Sequence, residues 1–591
     1  MLRRQPKLVA GVVLALCATA VAQPTTQATQ PASRGDSLAR VLRYVPDDAQ
    51  LVLIVGNVER FAAGVAGFGK AIGVADLGKF SGDAFVRDTL GAPDGVFDRE
   101  QGLVMAVMAN GDESILLGVA ARGQKVATTR PTAFGDDAEM TDLGDDGLLV
   151  RTSDGVAILG REESLLRRAT GSTGRLGKTL LKGDRGLLDR HPLVIYVDVP
   201  AWRDKVSQFI NLIAQTTYLG MAAAGPDAEA AIQVQRWFFD HAQALLAELE
   251  TYTVGLTASP EGLFVQDRAA FRPDGAAGRY LHAVRKPGRD LLRGLRAAKP
   301  AILFACEWEL PPDVDTLEST MLKTLLELES LREKLGEEKL GAAIRQAQSM
   351  HRRLSGYNGA WEWLGAQGSL ASGHYFTREP AEFMDDLRGL YTSTPEILSA
   401  WGSFPAMTVR HESVRAGERT IETFHLSIPE GGPPSKPDLA VIYGRDPQIL
   451  FTRAEDGVVY AIGSAEASKA ALDQAAKATG APVREAPRVQ AALARFSPDP
   501  QALMLVDLPA MLEFVAAMSE GMGVPLIRME CGDATLPLAG YMLHLDENAC
   551  RNEVFVPAEP IRAFIESVER LQGATTQPAV PPAEKDTQAG D

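Results

Sequence analysis

"HPLVIYVDVPAWRDKVSQFI" carries the stretch Val197–Ala201, and "QALMLVDLPAMLEFVAAM" carries the nearly identical Val506–Ala510. Each reads as a short apolar strand, then Asp, then Pro at the start of a helix. Pro is tolerated there because the first helical N–H has no intrahelical partner. Two such joints, about three hundred positions apart, predict that the chain writes one unit twice.

The flanking sequence supports that reading. "GLLVRTSDGVAILGREESLLRRA" begins at Gly147, and "QILFTRAEDGVVYAIGSAEASKAALDQA" begins at Gln448. Both hold a β-rich run, a turn with Asp-Gly (Asp154-Gly155 and Asp456-Gly457), a second apolar run ending in Gly160 or Gly463, and a helix opening with acids. Asp-Gly between β-rich runs signals a hairpin because Gly accepts positive φ. Acids suit the positive end of a helix. "YTVGLTASPEGLFVQDRAAFRP" and "GYMLHLDENACRNEVFVPAEP" repeat as hairpins. The order of elements is kept, which argues tandem duplication. The expected units are 41–285 and 300–570, joined by a basic linker helix over 286–299.

Insertions distinguish the copies. The first holds about forty helical residues after Ala201, with apolar Ile232, Trp237, Leu245 and Leu249 and an "AGPDA" turn, read as a helical hairpin. In the second, Leu317, Met321, Leu325, Leu328, Leu331 and Leu335 line one helix face. That pattern covers fewer than four heptads, so a helix packed on its own sheet is expected over a coiled coil. Recurrent hairpin signals, Asn110-Gly111 among them, mean antiparallel pairing. The fold class is therefore α+β: two tandem copies of a curved antiparallel sheet with helices packed on one face.

The termini point to export. "MLRRQPK" is a basic n-region, "LVAGVVLALCATA" is an apolar stretch too short to span a bilayer, and Ala20–Ala22 offers small residues for a signal peptidase. Residues 1–22 are read as a signal peptide, with Gln23 the first mature residue and a periplasmic or secreted product. Lipoprotein anchoring at Cys17 is the alternative, weakened by Leu16 where a small residue is wanted. Membrane contact is expected only through the signal peptide. Residues 23–40 and 571–591 are rich in Thr, Gln, Pro and Ala and are expected to be a disordered linker and tail.

The chain has 591 residues, 46% hydrophobic and 23% charged, with net charge −16. An acidic chain repels phosphate backbones, which excludes nucleic acid as an expected partner. The basic run Arg285, Lys286, Arg289, Arg293, Arg296 and Lys299 reads as a solvated helix. Cys306, Cys531 and Cys550 form an odd set after cleavage, not a disulfide framework. Cys306 reads as a small core residue. An intervening strand would hold Cys531 and Cys550 on the order of 25 Å apart, beyond disulfide reach.

"YVPDDAQLVLIVGNVERF", "DGVAILG" before a helix, and "VDVPA" or "VDLPA" opening another resemble the secreted bacterial family called domain of unknown function 3352. The resemblance covers most of residues 41–570 and rests on patterning. It implies an exported, often duplicated α+β protein without an established activity, and it supplies no functional residues.

Chemical motifs fail on inspection. "GSTGRLGKT" at Gly171–Thr179 imitates a phosphate loop, but Ser172 stands at the first Gly position and a helix, not a strand, precedes it. The eight histidines show no i, i+4 zinc spacing, and there is no Cys-x-x-Cys. "DLGDDG" at Asp142–Gly147 echoes a calcium loop, yet Ser153 occupies the twelfth position. No Gly-x-Ser-x-Gly elbow occurs. Asp198 and Asp507 recur at equivalent joints, where a carboxylate is expected to bond helix-start amides. Tyr357, Trp361, Trp363, His374, Tyr375 and Phe376 are expected to face a core. No catalytic, cofactor-binding or metal residue is assigned, and no cofactor is expected. The expected role is non-catalytic binding or scaffolding in the cell envelope, with an unknown protein or an apolar ligand as partner. A carrier with a cavity between sheet and helices, and an undetected hydrolase, are the alternatives.

Overall fold

The computed structural model describes residues 34–108, 113–121, 131–183, 185–222, 229–284, 290–296, 299–308, 329–401, 408–417, 419–427, 446–476, 480–521 and 537–575. The apolar and alternating runs form strands. In the first half these are β1 Leu51–Val55, β2 Leu103–Val107, β3 Ser114–Val119, β4 Thr132–Ala133, β5 Ala138–Asp142, β6 Leu148–Thr152, β7 Val156–Gly160, β8 Leu193–Asp198, β9 Leu249–Ser259 and β10 Gly262–Phe271. In the second they are β11 Ile302–Glu307, β12 Leu354–Trp363, β13 Ser369–Thr377, β14 Thr408–Ala416, β15 Arg419–Ser427, β16 Pro447–Ala454, β17 Gly457–Ser464, β18 Ala502–Val506, β19 Ala539–Leu545 and β20 Ala549–Pro557.

Every pairing among the described residues is antiparallel, and together they make one continuous sheet. From one edge the order is β4-β5-β6-β7-β3-β2-β1-β8-β9-β10. From the other edge it is β14-β15-β16-β17-β13-β12-β11-β18-β19-β20. The second order is the first with each strand replaced by the one ten later. The halves meet where β10 pairs with β20, from Gly262↔Pro557 to Ala270↔Ala549, with Gln266 opposite Glu553.

Asp154-Gly155 lies in the β6–β7 turn and Asp456-Gly457 at the β16–β17 turn, the first turn being one residue longer. Pro200 and Pro509 each stand second in the helix that follows β8 or β18, namely Val199–Ala222 and Leu508–Gly521. The inserted helical hairpin comprises Val199–Ala222 and Glu229–Glu248, and Leu249 already belongs to β9.

Four expectations are corrected. Helices cover both faces of the first half's sheet, not one. Val52, Ile54, Val104 and Ala106 pack with Leu42, Leu166 and Leu180, while Leu103, Met105 and Val107 pack with Phe61 and Phe85 on the other side. Runs such as "LVMAV" have no polar alternation, so both of their faces must be buried. Residues 34–40 are not linker: a helix spans Arg34–Leu42, because Val41 and Leu42 reach the core. The C-terminal helix Ala558–Thr575 runs into the expected tail. Residues 290–296 form turns rather than a solvated basic helix, since Leu291, Leu292 and Leu295 are buried in the second half's core. Arg285, Lys286, Arg289, Asn110-Gly111, the "AGPDA" turn, Cys531, Leu317, Met321, Leu325 and Leu328 lie outside the described residues. Cys306 and Cys550 are not joined in a disulfide among the described residues.

Candidate functional site

The turn at Leu291–Leu292 is buried in the second half's core. Beside it lies a half-open cleft of about 830 Å³, bordered by the sheet, the helix Pro487–Leu493 and the segment that follows it. The floor is apolar: Leu291, Leu292, Phe496, Leu503 and Met542 line it. Three buried polar side chains also face this region, namely Glu307, Ser497 and Gln501.

Glu307 closes β11 and is 1% exposed. A carboxylate so placed requires a partner. Arg293 supplies it in bidentate fashion, Nη1 to Oε2 and Nη2 to Oε1, both at 2.9 Å. Arg293 also stacks over Phe376, with Cζ 3.5 Å from the ring centroid, and faces Asp456 at 3.4 Å. Gln501 is 3% exposed; its Nε2 donates to the Glu307 carbonyl, while its Oε1 has no hydrogen-bond partner among the described residues. Asp499 lies between Pro498 and Pro500 with φ 56°, a left-handed conformation unusual outside glycine. At the rim Arg484 pairs with Asp290 at 2.6 Å.

Behind Ser497 a buried polar network crosses the junction of the halves. Glu553, on β20, accepts from Ser497 Oγ at 2.5 Å and from the Ser497 amide at 2.7 Å. Arg190, from the first half, donates to Ser497 Oγ at 2.7 Å and to Glu553 at 3.4 Å. His544 Nε2 stands 4.0 Å from the far carboxylate oxygen. Across the β10–β20 pairing, His191 lies against Gln266 Oε1 at 3.2 Å and Thr257 Oγ1 at 2.9 Å. An amide oxygen only accepts, so Nε2 carries the proton and Nδ1 accepts from Thr257. Burial, with the Arg190 charge adding to it, pushes the His191 pKa down to about 4. One residue further along β10, burial lifts Asp267 to about 6 although Asn552 and Tyr252 bond its carboxylate.

The serine, carboxylate and imidazole invite comparison with a hydrolytic triad, but their order is wrong. Activation needs serine bonded to imidazole and imidazole to carboxylate. Here Ser497 donates directly to Glu553, and His544 lies beyond it.

The other sequence candidates resolve separately. In the phosphate-loop imitation, Asp47 occupies the helix start: its carboxylate accepts from Thr173 Oγ1 at 2.5 Å and from the amides of Arg175 and Leu176. The Thr173 bond, with those amides, holds Asp47 below the usual carboxylate range. An anion site there is filled by the protein's own acid. Asp142–Gly147 forms a tight turn in which Asp142 bonds the Gly144 amide. Asp507 meets the expectation of a helix-start carboxylate, accepting from the Ala510 amide at 3.4 Å, and it also pairs with Arg488 at 2.7 Å. Asp198 makes no such bond among the described residues, and burial raises its pKa. Trp361 and Trp363 grip Phe514 edge-on at 4.8 and 5.2 Å, and Phe376 and His374 are buried. No group of three His, Cys, Asp or Glu suited to a metal occurs among the described residues.

A second surface feature is the hairpin of helices Val199–Ala222 and Glu229–Glu248. From Val206 to Ala222 it carries no formal charge. Yet Phe209, Leu212, Leu219 and Phe238 are exposed, Leu219 at 74%. No helix among the described residues is long and apolar enough to cross a membrane.

Spacing could not reveal the cavity, since Glu307 stands 194 positions from Gln501 in the chain. One signal did exist: Glu307 is an acid inside the apolar run "AILFACEWEL", which demands a buried partner.

No family model matches the chain, and no curated protein matches it. Among solved structures, crystal form I of TP0453 is similar over 48% of this chain and 99% of its own, at 10% identity and a TM-score of 0.21.

Proposed function

We propose that this chain is an exported carrier of the cell envelope, which holds a ligand with an apolar body in the cavity of its second half and performs no chemistry of its own. The observation that supports this is the cavity itself. Its volume, about 830 Å³, and its apolar floor with a few buried polar groups suit a small-molecule site. The basic n-region, short apolar run and Ala20–Ala22 support export, with cleavage after Ala22. The proposal includes a tandem origin from units 41–285 and 300–570, supported by the shared strand order and the two VD-x-PA joints, and kinship with the exported family that the sequence resembles.

The test is native mass spectrometry of the chain purified from its own envelope, beside a Leu503→Trp variant that fills the cavity. The expected result is a retained mass of roughly a few hundred daltons, lost in the variant. A chain that emerges bare would sink the carrier reading. A covalent adduct with a serine-hydrolase or glycosidase probe, abolished by one substitution, would replace it with an enzyme.

A scaffolding role is favoured by one separate observation, the uncharged stretch Val206–Ala222 with Phe209, Leu212 and Leu219 exposed, since exposed apolar surface of this kind marks interaction sites. Replacing Leu212, Leu219 and Phe238 with Ser is expected to abolish co-purification of a partner protein, and an unchanged set of co-purifying proteins would discard this role.

A further inference from the structure

We propose that the helical hairpin Val199–Ala222 and Glu229–Glu248 is a membrane-docking arm, which lies lengthwise in the interfacial layer of a lipid bilayer with its uncharged side down. The inference goes beyond the carrier reading and stands without it. It turns to lipid the surface that a scaffolding role would offer to a protein. It also gives the exported chain a membrane contact that the sequence expectation reserved for the signal peptide.

Contacts fix which side of each helix faces the other. On the first helix, Ser207 and Asn211 meet Gln243, Tyr218 meets Phe239, and Ala214 between them is buried. On the second, Phe239, Gln243 and the buried Leu246 form the matching stripe. Each helical residue turns by about 100°, which places the others. Val206 and Ile213 fall to one side of the first stripe, and Phe238 and Leu245 fall to the same side of the hairpin from the second. Phe209 stands opposite the first stripe, with Leu212 and Leu219 beyond it. All of these side chains are exposed. Together they point over roughly 200° around the hairpin, more than half of its circumference. Asp240 points the other way, and Arg236 folds over the Tyr218 ring.

That distribution selects the occupant. A folded protein or a second copy covers one side of a two-helix arm, whereas a lipid layer closes round whatever sinks into it. Charge selects in the same direction. Val206–Ala222 carries no formal charge in a chain of net charge −16. An uncharged arm complements uncharged hydrocarbon, while bodies of like charge oppose the pairing of two copies. The outward hydroxyl of Thr216 agrees, since it donates to the Leu212 carbonyl at 2.8 Å. A bond closed within the helix satisfies a polar group where water is absent.

The test is flotation of the chain, purified from its own envelope, with phosphatidylcholine vesicles. Beside it runs a variant combining Phe209→Gln, Ile213→Gln and Phe238→Gln, and both are followed by sedimentation velocity without lipid. The wild type is expected to float equally in low and high salt, and less well when phosphatidylglycerol is added. The variant's partition should fall roughly tenfold or more. Its melting temperature should be unchanged, because exposed side chains carry little stability. Leu503→Trp, which tests the carrier reading, should float like the wild type, so the two readings fail separately. A wild type that stays in solution, or a variant that floats as well, would overturn the proposal. Without flotation, a dimer abolished in the variant would assign the arm to a second copy instead, and a co-purifying protein lost in the variant would assign it to that partner.

Discussion

His191 and Asp267 occupy the same seam and respond to acid in opposite senses. His191 is a base whose folded pKa, about 4, lies below its ordinary 6.5. The unfolded chain therefore holds more protons between those values, and stability rises with pH across that window. Its contribution is whole above pH 6.5 and is lost as pH falls through 4. Relative to a His191→Gln variant, the wild type should lose on the order of 3 kcal/mol as pH drops from 7 to 4, read from urea midpoints. Asp267 is an acid whose folded pKa, about 6, lies above its ordinary 3.8. Here the folded chain holds more protons, so the contribution is whole below pH 4 and lost as pH rises through 6. Asp267→Asn should therefore gain on the wild type between pH 4 and 7, by on the order of 2 kcal/mol. A wild type that instead gains on Asp267→Asn as pH rises would show that burial does not govern this carboxyl.

At the scale of elements, Gly177 explains what its motif could not. It lies in the helix Arg175–Gly183, where a β-carbon would collide with the carbonyl of Leu42 in the helix Arg34–Leu42. The glycine that suggests a phosphate loop is thus a helix-packing glycine. Gly177→Ala should destabilise by about 1–2 kcal/mol, the crowding outweighing the gain in helix propensity. Gly186→Ala, where nothing stands within 4 Å, should be neutral or stabilising by up to about 1 kcal/mol, and equal melting shifts in the two would refute the packing account. Such contacts mark the limit of sequence reading. The hairpins at Asp154-Gly155 and Asp456-Gly457 and the Pro200 and Pro509 joints were readable because turn and cap chemistry is local. The second helical layer, the burial of Leu291, Leu292 and Leu295, and the cavity were not, because each depends on which distant surface arrives opposite. Arg293 looked like part of a solvated basic face, and only its fork onto Glu307 gives it another role.

For the whole molecule, the β10–β20 seam ties the halves into one cooperative body. Phe555 is fully buried there, opposite Phe264 in the ladder and beneath the Arg495 guanidinium. Phe555→Ala should cost about 3–5 kcal/mol. The loss should be felt on both sides of the seam. Trp202 and Trp237 report on the first half, Trp361 and Trp363 on the second, and single-tryptophan versions should show the same lowered urea midpoint. Two separated transitions would show that each half stands alone. The outer edges are managed differently from the seam. β4 spans only Thr132–Ala133, and β14 is exposed except at Val409, with Arg410, Glu412 and Arg415 on it, a short edge and a charged edge that both discourage further pairing.

The seam also sets a schedule. β10 ends at Phe271, and its partner begins only at Ala549. At about 5–20 residues per second, a ribosome needs roughly 15–60 s to traverse the interval. A first half that folded at once would wait that long with an open strand, its ladder from Gly262 to Ala270 unpaired and Phe264 beside it. The same strand on a neighbouring nascent chain offers a ready substitute, and the half-made pair would be locked out of its proper partner. Export that threads the chain across a membrane unfolded would abolish the wait, since β10 and β20 would then become available to each other on one release.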